Sequence, residues 1–329
     1  FFFMQKTAYE IMPSLVGSEM CIRDRVLIEG GKAIGVEAES GGEVFNIEAD
    51  RVVLSAGAIK SPHLLMLSGI GPKDQLEEFG IPVIQDMPGV GQNLMNHLSA
   101  QVTFKVKDGL SLHGDMDAIH FGLHYTAEGS TEVNDMLLRT TPMVDERPER
   151  VPGLRTKFLN DGIPADRVAR LSVTLGLPDG SGYVRLASSD PSVQPTFNYQ
   201  YLQHPNDKRR VRDGIRKAAA FLESDAYKDV CDQRLHPVDD ILNDDDALDR
   251  YISQTVGTAR HVSGTCKMGP DSDPTAVVDQ YCSVKGVAGL SVVDASIKPK
   301  ITRSGGSHAT VLMMAERAVE FIARTLAKV

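Results

Sequence analysis

HVSGTCKMG at residues 261–269, GLSVVDAS at residues 289–296 and SGGSHAT at residues 304–310 form the C-terminal stretch that decides the fold. The middle piece predicts a short buried strand from Leu290 to Val293 that ends in an acidic residue, and ligands lie at such strand ends in open α/β sheets. The last piece predicts a glycine-rich turn before a helix from about Ala309 to Ala327, whose N-terminus faces the same cleft. His261 and His308 each lie beside one of these turns. The stretch therefore predicts a site for proton transfer next to a bound ligand.

The content and order of these pieces resemble the glucose–methanol–choline (GMC) family of flavoprotein oxidoreductases. A second motif, GAIKSPHLLMLSGIG at residues 57–71, is similar to another signature of that family along its whole length. The matching pieces extend from about Val26 to the C-terminus. The resemblance implies an α/β fold, namely the C-terminal part of an FAD-binding Rossmann-like domain joined to an α+β substrate domain built on an antiparallel sheet.

The resemblance and the strand pattern divide the chain into segments. Residues 26–97 are expected to form part of the FAD-binding domain, and residues 98–250 the substrate-binding domain. Residues 251–329 are expected to return to the FAD-binding domain with the active-site histidines.

Local patterns in the first of these segments predict particular elements. The β-rich runs Val26–Glu29, Ala33–Glu37 and Val44–Glu48 are separated by glycine pairs and predict a three-stranded meander. Ser61 is predicted to cap a helix that has Pro62 at its first position, because this pair is favoured at helix N-termini.

The N-terminal residues 1–25 resemble translated sequencing-adapter read-through, so we expect them to form no part of the packed fold. A signal or transit peptide is the alternative, but acidic Glu10, Glu19 and Asp24 and the lack of a small-residue cleavage site disfavour it. The dinucleotide-binding pattern Gly-x-Gly-x-x-Gly does not occur in the sequence. We therefore expect this sequence to be the C-terminal portion of a longer protein that carries the motif upstream.

Composition narrows the class of protein. The 329 residues are 42% hydrophobic and 24% charged, as in a globular protein that buries a sizeable core. A net charge of −9 argues against nucleic acid as a partner, and no apolar run is long enough to predict a membrane span. Once Cys21 of the suspect segment is set aside, three cysteines remain, so a disulfide framework is not expected. A reducing, cytoplasmic location is favoured, with peripheral membrane association left open.

The resemblance also implies the roles of individual residues. His261 is expected to be the general base, and His308 to help hold the alcohol oxygen. The residues expected to lie at the cofactor are Gly57, Ala58, Asp294, Ala295, Ala309 and Thr310. For Asp294 the alternative is a helix or turn cap. The other histidines, His97 among them, stand in no comparable motif and are assigned no role and no metal. Asn96 stands where the family has an acidic residue, so it is assigned no role either.

The implied function is oxidation of a small-molecule alcohol to a carbonyl compound, with hydride transfer from the substrate carbon to N5 of FAD. Histidine suits the accompanying proton transfer because its pKa lies near neutral pH. Two alternatives remain at this point: hydroxynitrile-lyase activity on the same fold, and an inactive fragment that binds no FAD. The sequence chooses neither the alcohol nor the electron acceptor, oxygen or a quinone.

Overall fold

A computed structural model describes residues 21–110, 122–142, 163–303 and 307–326. The strands are β1 (Cys21–Glu29), β2 (Lys32–Ser40), β3 (Glu43–Glu48), β4 (Val52–Leu54), β5 (Ile70–Gly71), β6 (Gln85–Asp86), β7 (Leu98–Val106), β8 (Gly122–Tyr125), β9 (Met136–Pro142), β10 (Val168–Leu175), β11 (Tyr183–Arg185), β12 (Thr196–Asn198), β13 (Cys231–His236), β14 (Gly257–Thr258) and β15 (Leu290–Val292). The helices are α1 (Gly57–Leu67), α2 (Lys73–Glu78), α3 (Pro205–Leu222), α4 (Asp239–Leu242), α5 (Asp245–Thr255) and α6 (Ser307–Leu326). None of these helices is both long and apolar enough to cross a bilayer.

The predicted meander is present as an antiparallel sheet in the order β1-β2-β3. Its first strand corrects the expectation that residues 1–25 lie outside the fold, because β1 begins at Cys21 and pairs that residue with Glu39. The side chain of Arg25 donates from Nε to the Glu37 carboxylate at 3.0 Å. The origin of residues 1–20 stays an expectation, since they lie outside the described residues.

Strands β4 and β15 form a parallel pair although more than two hundred residues separate them. Their carboxyl ends lie together, since the backbone N–H of Val293 donates to the Leu54 carbonyl at 2.8 Å. The strand predicted at residues 290–293 is thereby confirmed. The same core contains the buried faces of β4, β15 and α1.

Helix α1 corrects the predicted cap. The helix begins at Gly57, so Ser61 and Pro62 lie inside it. A proline inside a helix leaves the carbonyl four residues earlier without its N–H donor. Here that carbonyl belongs to Ala58, and it accepts a hydrogen bond from the Thr265 hydroxyl at 2.6 Å. A distant hydroxyl thus replaces the missing helical donor, which a local sequence pattern cannot predict.

This contact gives a first testable expectation. Thr265→Val keeps the shape of the side chain but leaves the buried Ala58 carbonyl without a donor, which costs about 1–3 kcal/mol in the free energy of unfolding. Thr265→Ser keeps the hydroxyl and serves as the matched control. Urea unfolding of both variants measures the difference, and equal stability of the two would contradict the assignment.

The meander, the β4–β15 pair and helix α1 form the first unit, whose core contains residues of all three. The second unit is a larger antiparallel sheet packed against helix α3. Its strand order is β13-β7-β10-β9-β8, and β14 pairs with the end of β7. Alternate residues of β7 from Leu98 to Val106 are buried in one core with apolar residues of α3 such as Val211 and Ile215. Because strand residues alternate in direction, Ser99, Gln101 and Thr103 face the opposite side of the sheet.

The structure shifts the predicted boundary at residue 250. Helix α5 crosses this boundary, and its Leu248, Tyr251 and Ile252 are buried in the core of the second unit. Strand β14 also pairs with β7, so the second unit extends to Thr258. Strand β11 departs from the predicted segment too, because Val184 is buried in the core of the first unit.

The chain enters and leaves the second unit at neighbouring points. The backbones of Met95 and Ser263 exchange two hydrogen bonds, of 2.9 and 3.0 Å. The N–H of Ala259 donates to the His97 carbonyl at 3.0 Å. The two connections therefore form a short antiparallel ladder between the units, and both His97 and His261 lie in it.

Candidate active site

The motif that follows His261 is fixed along the turn after β15. Three motif N–H groups donate to consecutive carbonyls of that turn: Gly264 to Ala295 at 3.1 Å, Cys266 to Ser296 at 2.9 Å and Met268 to Ile297 at 2.8 Å. Gly264 has φ +95° and lies so close to the next connection that a Cβ would be 2.5 Å from the Asn93 carbonyl oxygen. Only glycine fits there, which explains this position of the motif.

His261 is held by a second histidine that sequence reasoning did not single out. Its Nδ1 lies 2.9 Å from Nδ1 of His97, and the two rings meet edge to face at a centroid distance of 5.1 Å. Nε2 of His97 lies 2.8 Å from the backbone carbonyl oxygen of Thr302. His97 is fully buried, whereas His261 is half-buried.

The protonation of this pair follows from its partners. Burial lowers the pKa of His97 to about 4, helped by the charges of His261 and Lys298 and opposed by hydrogen bonds to the backbone at Thr302 and Gly176. His97 is therefore neutral near pH 7, and because a carbonyl can only accept, its proton lies on Nε2.

The unprotonated Nδ1 of His97 must then accept the hydrogen bond from His261. This fixes the His261 proton on Nδ1 and leaves a lone pair on its Nε2. Burial lowers the pKa of His261 as well, and the positive charges of Arg139 and Lys298 act in the same direction. The ring is thus a neutral acceptor at Nε2, which is the form that a general base requires.

Asn96 positions the backbone of His261. Its side-chain oxygen accepts from the His261 N–H at 2.9 Å, while its amide nitrogen donates to the hydroxyls of Tyr201 at 2.7 Å and Thr258 at 2.5 Å. The sequence alone indicates no role for this residue, because it departs from the family pattern. The structure gives it a place on the ladder between the two units.

The carboxylate of Asp294 is directed into the protein. One oxygen accepts from the Gly57 N–H at 2.9 Å and the Ser61 hydroxyl at 2.5 Å, and the other from the Ser296 N–H at 2.7 Å. This is the capping alternative considered for the residue, and it ties the start of α1 to the end of β15. These three hydrogen bonds leave acceptor capacity on the carboxylate, so the cofactor contact expected of Asp294 stays a prediction.

The remaining predicted site residues lie around the carboxyl ends of β4 and β15. Gly57 begins α1 with φ +82° and open space where a side chain would lie, and Ala58 is buried behind it. Ala295 is half-buried in the turn after β15, and Ala309 and Thr310 lie in the first turn of α6. These cofactor contacts stay predictions.

His308 is exposed in the first turn of α6. The described residues contain no hydrogen bond between His308 and His261, so their convergence on one substrate oxygen stays a prediction. The glycine-rich turn before α6, residues 304–306, lies outside the described residues.

Comparison with known proteins gives matches over most of the chain. The family model for GMC oxidoreductase matches residues 178–315, and a model for the N-terminal part of the same family matches residues 14–99. Part of the N-terminal family domain is therefore present, although the glycine-rich motif itself does not occur in the sequence.

Two curated relatives and one solved structure illustrate the similarity. Oxygen-dependent choline dehydrogenase of Photobacterium profundum is 35% identical over 91% of this chain and 54% of its own length. Mitochondrial choline dehydrogenase of Mus musculus is 34% identical over 94% of this chain and 54% of its own length. The crystal structure of pyridoxine 4-oxidase from Mesorbium loti superposes with a TM-score of 0.79 at 28% identity, over 92% of this chain and 57% of that one.

The chain spans about half the length of the curated relatives it matches. Within that half, the family models cover both the strand-and-helix unit that carries Gly57 and the stretch that carries His261. The chain belongs to the GMC oxidoreductases, a family of flavoproteins that bind FAD.

Proposed function

We propose that the flavin-loaded protein oxidises an alcohol to a carbonyl compound and that His261 is the base that takes the hydroxyl proton. The observation that carries the proposal is the hydrogen bond between His97 and His261, because it leaves Nε2 of His261 as a proton acceptor.

The residues present fit the flavin end of FAD. Ser55 and Ala56 are exposed at the carboxyl end of β4, and Gly57 leaves open space beside them. Strand ends of this kind are where α/β folds bind cofactors. The backbones of Gly57, Ala58 and Ala295 would hold the cofactor from one side, with Ala309 and Thr310 at the helix N-terminus.

The chemistry divides between cofactor and protein. FAD, when bound, supplies the acceptor for the hydride that leaves the substrate carbon. His261 removes the proton from the hydroxyl group, and its own Nδ1 proton stays on the hydrogen bond to His97. His308 is proposed to hold the alcohol oxygen, and Asn96 keeps the backbone of His261 in place.

The names of the choline dehydrogenases and of pyridoxine 4-oxidase support oxidation at an alcohol carbon but leave the substrate open. The choline dehydrogenases are about one-third identical to this chain, and pyridoxine 4-oxidase shares its fold. Alcohol-dependent bleaching of the flavin absorbance under anaerobic conditions tests the proposal. Flavin that no alcohol reduces would overturn it.

His97 gives the second testable expectation, as a residue that positions His261. His97→Leu removes the acceptor for the Nδ1 proton of His261, whereas His97→Asn can place an oxygen at nearly the same point. We expect His97→Leu to lower flavin reduction by about 10- to 100-fold, as loss of an outer hydrogen bond does at metal-bound histidines, and His97→Asn to restore part of it.

The distinguishing measurement is the tautomer of His261, read from long-range ¹H–¹⁵N spectra of its ring. In the wild type the proton should lie on Nδ1, and in His97→Leu the ring should no longer be restricted to this tautomer. A His261 ring that stays fully Nδ1-protonated in His97→Leu would refute the positioning role.

A further inference from the structure

Lys298 is a buried cation to which the described residues offer no partner. It ends the short turn after β15, is 3% exposed, and its Nζ forms no hydrogen bond or ion pair with any described residue. Burial lowers the pKa of this ammonium group, as expected for a charge that nothing compensates. Unpaired buried charges are costly enough to call for an explanation, and a ligand of opposite charge is the simplest one.

A second cation lies on the sheet that faces the same site. Arg139 of β9 is directly opposite Ser172 of β10, which in turn is opposite Gln101 of β7. These three side chains form a row across the face of the sheet that is turned away from α3. His97 precedes β7 by one residue, so the alternation places it on this face as well.

Two polar atoms of this row have no partner among the residues that the structure describes. Nε of Arg139 and Oε1 of Gln101 are both buried, and neither forms a hydrogen bond within the described residues. Adjacent strands lie about 4.8 Å apart, so the row presents a guanidinium group and an amide oxygen within one small-molecule length. Buried polar atoms are normally hydrogen-bonded, so these unsatisfied groups are suited to bind a polar ligand.

Both cations act on the pair formed by His97 and His261. The charges of Arg139 and Lys298 each lower the pKa of His261, and that of Lys298 also lowers the pKa of His97. No carboxylate of the described residues pairs with either cation. His261 gains a positive charge when it takes the hydroxyl proton, so a third cation at this point would be unfavourable unless the substrate brought a negative charge.

We propose that the alcohol oxidised at this site carries a negative charge, in the simplest case a carboxylate, which Lys298 and Arg139 bind. The inference rests on the proposed function and adds the substrate class to it. An ammonium alcohol such as choline would bring its fixed positive charge towards both cations, which is unfavourable because like charges repel strongly in a partly buried site.

Three alcohols of common shape test the charge preference: 3-hydroxypropanoate, its neutral amide and choline. In each compound two CH₂ groups join the hydroxyl oxygen to the group that differs. We expect the limiting rate of flavin reduction, divided by the dissociation constant of the alcohol, to fall in that order. The carboxylate and the amide should differ by about 10- to 100-fold, which is the effect of one charge-assisted hydrogen bond.

Variants assign the preference to particular residues. Lys298→Met should lower the carboxylate-to-amide ratio by about 10- to 100-fold, and Arg139→Met should lower it in the same direction. Lys298→Met is expected to fold, because it replaces an unpaired buried charge by an apolar side chain of similar length. Lys300→Met is the matched control: this lysine lies two residues away, is 56% exposed and pairs with Glu132, so the ratio should stay unchanged.

Binding measured without turnover separates this inference from the proposed function. In a His261→Ala background, calorimetric titration should still detect 3-hydroxypropanoate, and Lys298→Met should weaken that binding by about 10- to 100-fold. If no alcohol reduces the wild-type flavin, the proposed function fails. If alcohols do reduce it but the carboxylate is not preferred, or if Lys298→Met slows all three equally, the cations serve the cofactor or the fold and this inference is overturned.

Discussion

His261→Ala is expected to lower the rate of flavin reduction in the flavin-loaded enzyme by about 10²–10⁴-fold, the usual contribution of a positioned general base. The variant removes the Nε2 acceptor that the hydrogen bond to His97 directs away from the histidine pair. Anaerobic stopped-flow reduction with a good alcohol substrate measures the effect.

The second predicted active-site histidine supplies the comparison. His308→Asn should cost less than His261→Ala, because an amide can still hydrogen-bond the alcohol oxygen, and His308→Ala should cost more than His308→Asn. The effects of the two histidines need not add, since they act on one substrate oxygen. A His261→Ala enzyme that is reduced at the wild-type rate, together with an inactive His308→Asn enzyme, would show that the two roles are reversed.

The second large effect concerns Arg210, which is fully buried in helix α3. Its guanidinium pairs with the carboxylates of Asp135 at 2.8 Å, Asp207 at 2.6 Å and Asp179 at 3.0 Å. Burial alone would raise the pKa of Asp135, but the Ala127 N–H, Arg210 and Ser130 together lower it. Removal of the arginine would leave two carboxylates buried without a cation.

Arg210→Leu is therefore expected to destabilise the protein by about 3–5 kcal/mol, the cost of breaking a buried ion pair from one side. Arg209→Leu is the matched control, because Arg209 pairs with Asp213 on the half-exposed face of the same helix, and such pairs contribute about 1 kcal/mol or less. Urea unfolding, followed by tyrosine fluorescence because the chain has no Trp, gives both midpoints. Equal midpoints for the two variants would contradict the role assigned to Arg210.

Two of these carboxylates, together with a histidine, resemble a metal site. Ligand atoms of Asp179, His204 and Asp207 lie within 4.8 Å of one another. The guanidinium of Arg210 already lies between the two carboxylates, and a second cation there would be repelled. The two carboxylates of this cluster therefore serve as ion-pair partners of Arg210.

Local patterns predicted several elements of the fold. Alternating or continuous apolar runs gave the meander and the strand at residues 290–293, because burial of one face imposes its own period on the sequence. Errors arose where a distant residue decided the outcome. Pro62 was placed at a helix start, but Thr265 allows it inside α1, and the boundary at residue 250 failed because β14 extends the second sheet.

The candidate site was predictable only as far as its motifs. His261 and Asp294 stand in recognisable motifs, whereas His97 is 164 positions from the histidine it contacts and has no motif that suggests a role. Lys298 looks like a surface residue in the sequence, and only the packing around it reveals that its charge is buried. Partners and burial, unlike residue types, are properties of the folded chain.

The antiparallel ladder between the two units has a consequence for protein engineering. Residues 98–258 leave and rejoin the rest of the chain at adjacent points, which is the geometry in which whole domains are exchanged between homologues with little disturbance. A chimera that keeps residues 95–97 and 259–263 from this protein would retain the histidine pair and receive the second unit from a relative. Strand β11 restricts such grafts, because Val184 is buried in the unit that stays behind and must be matched to it.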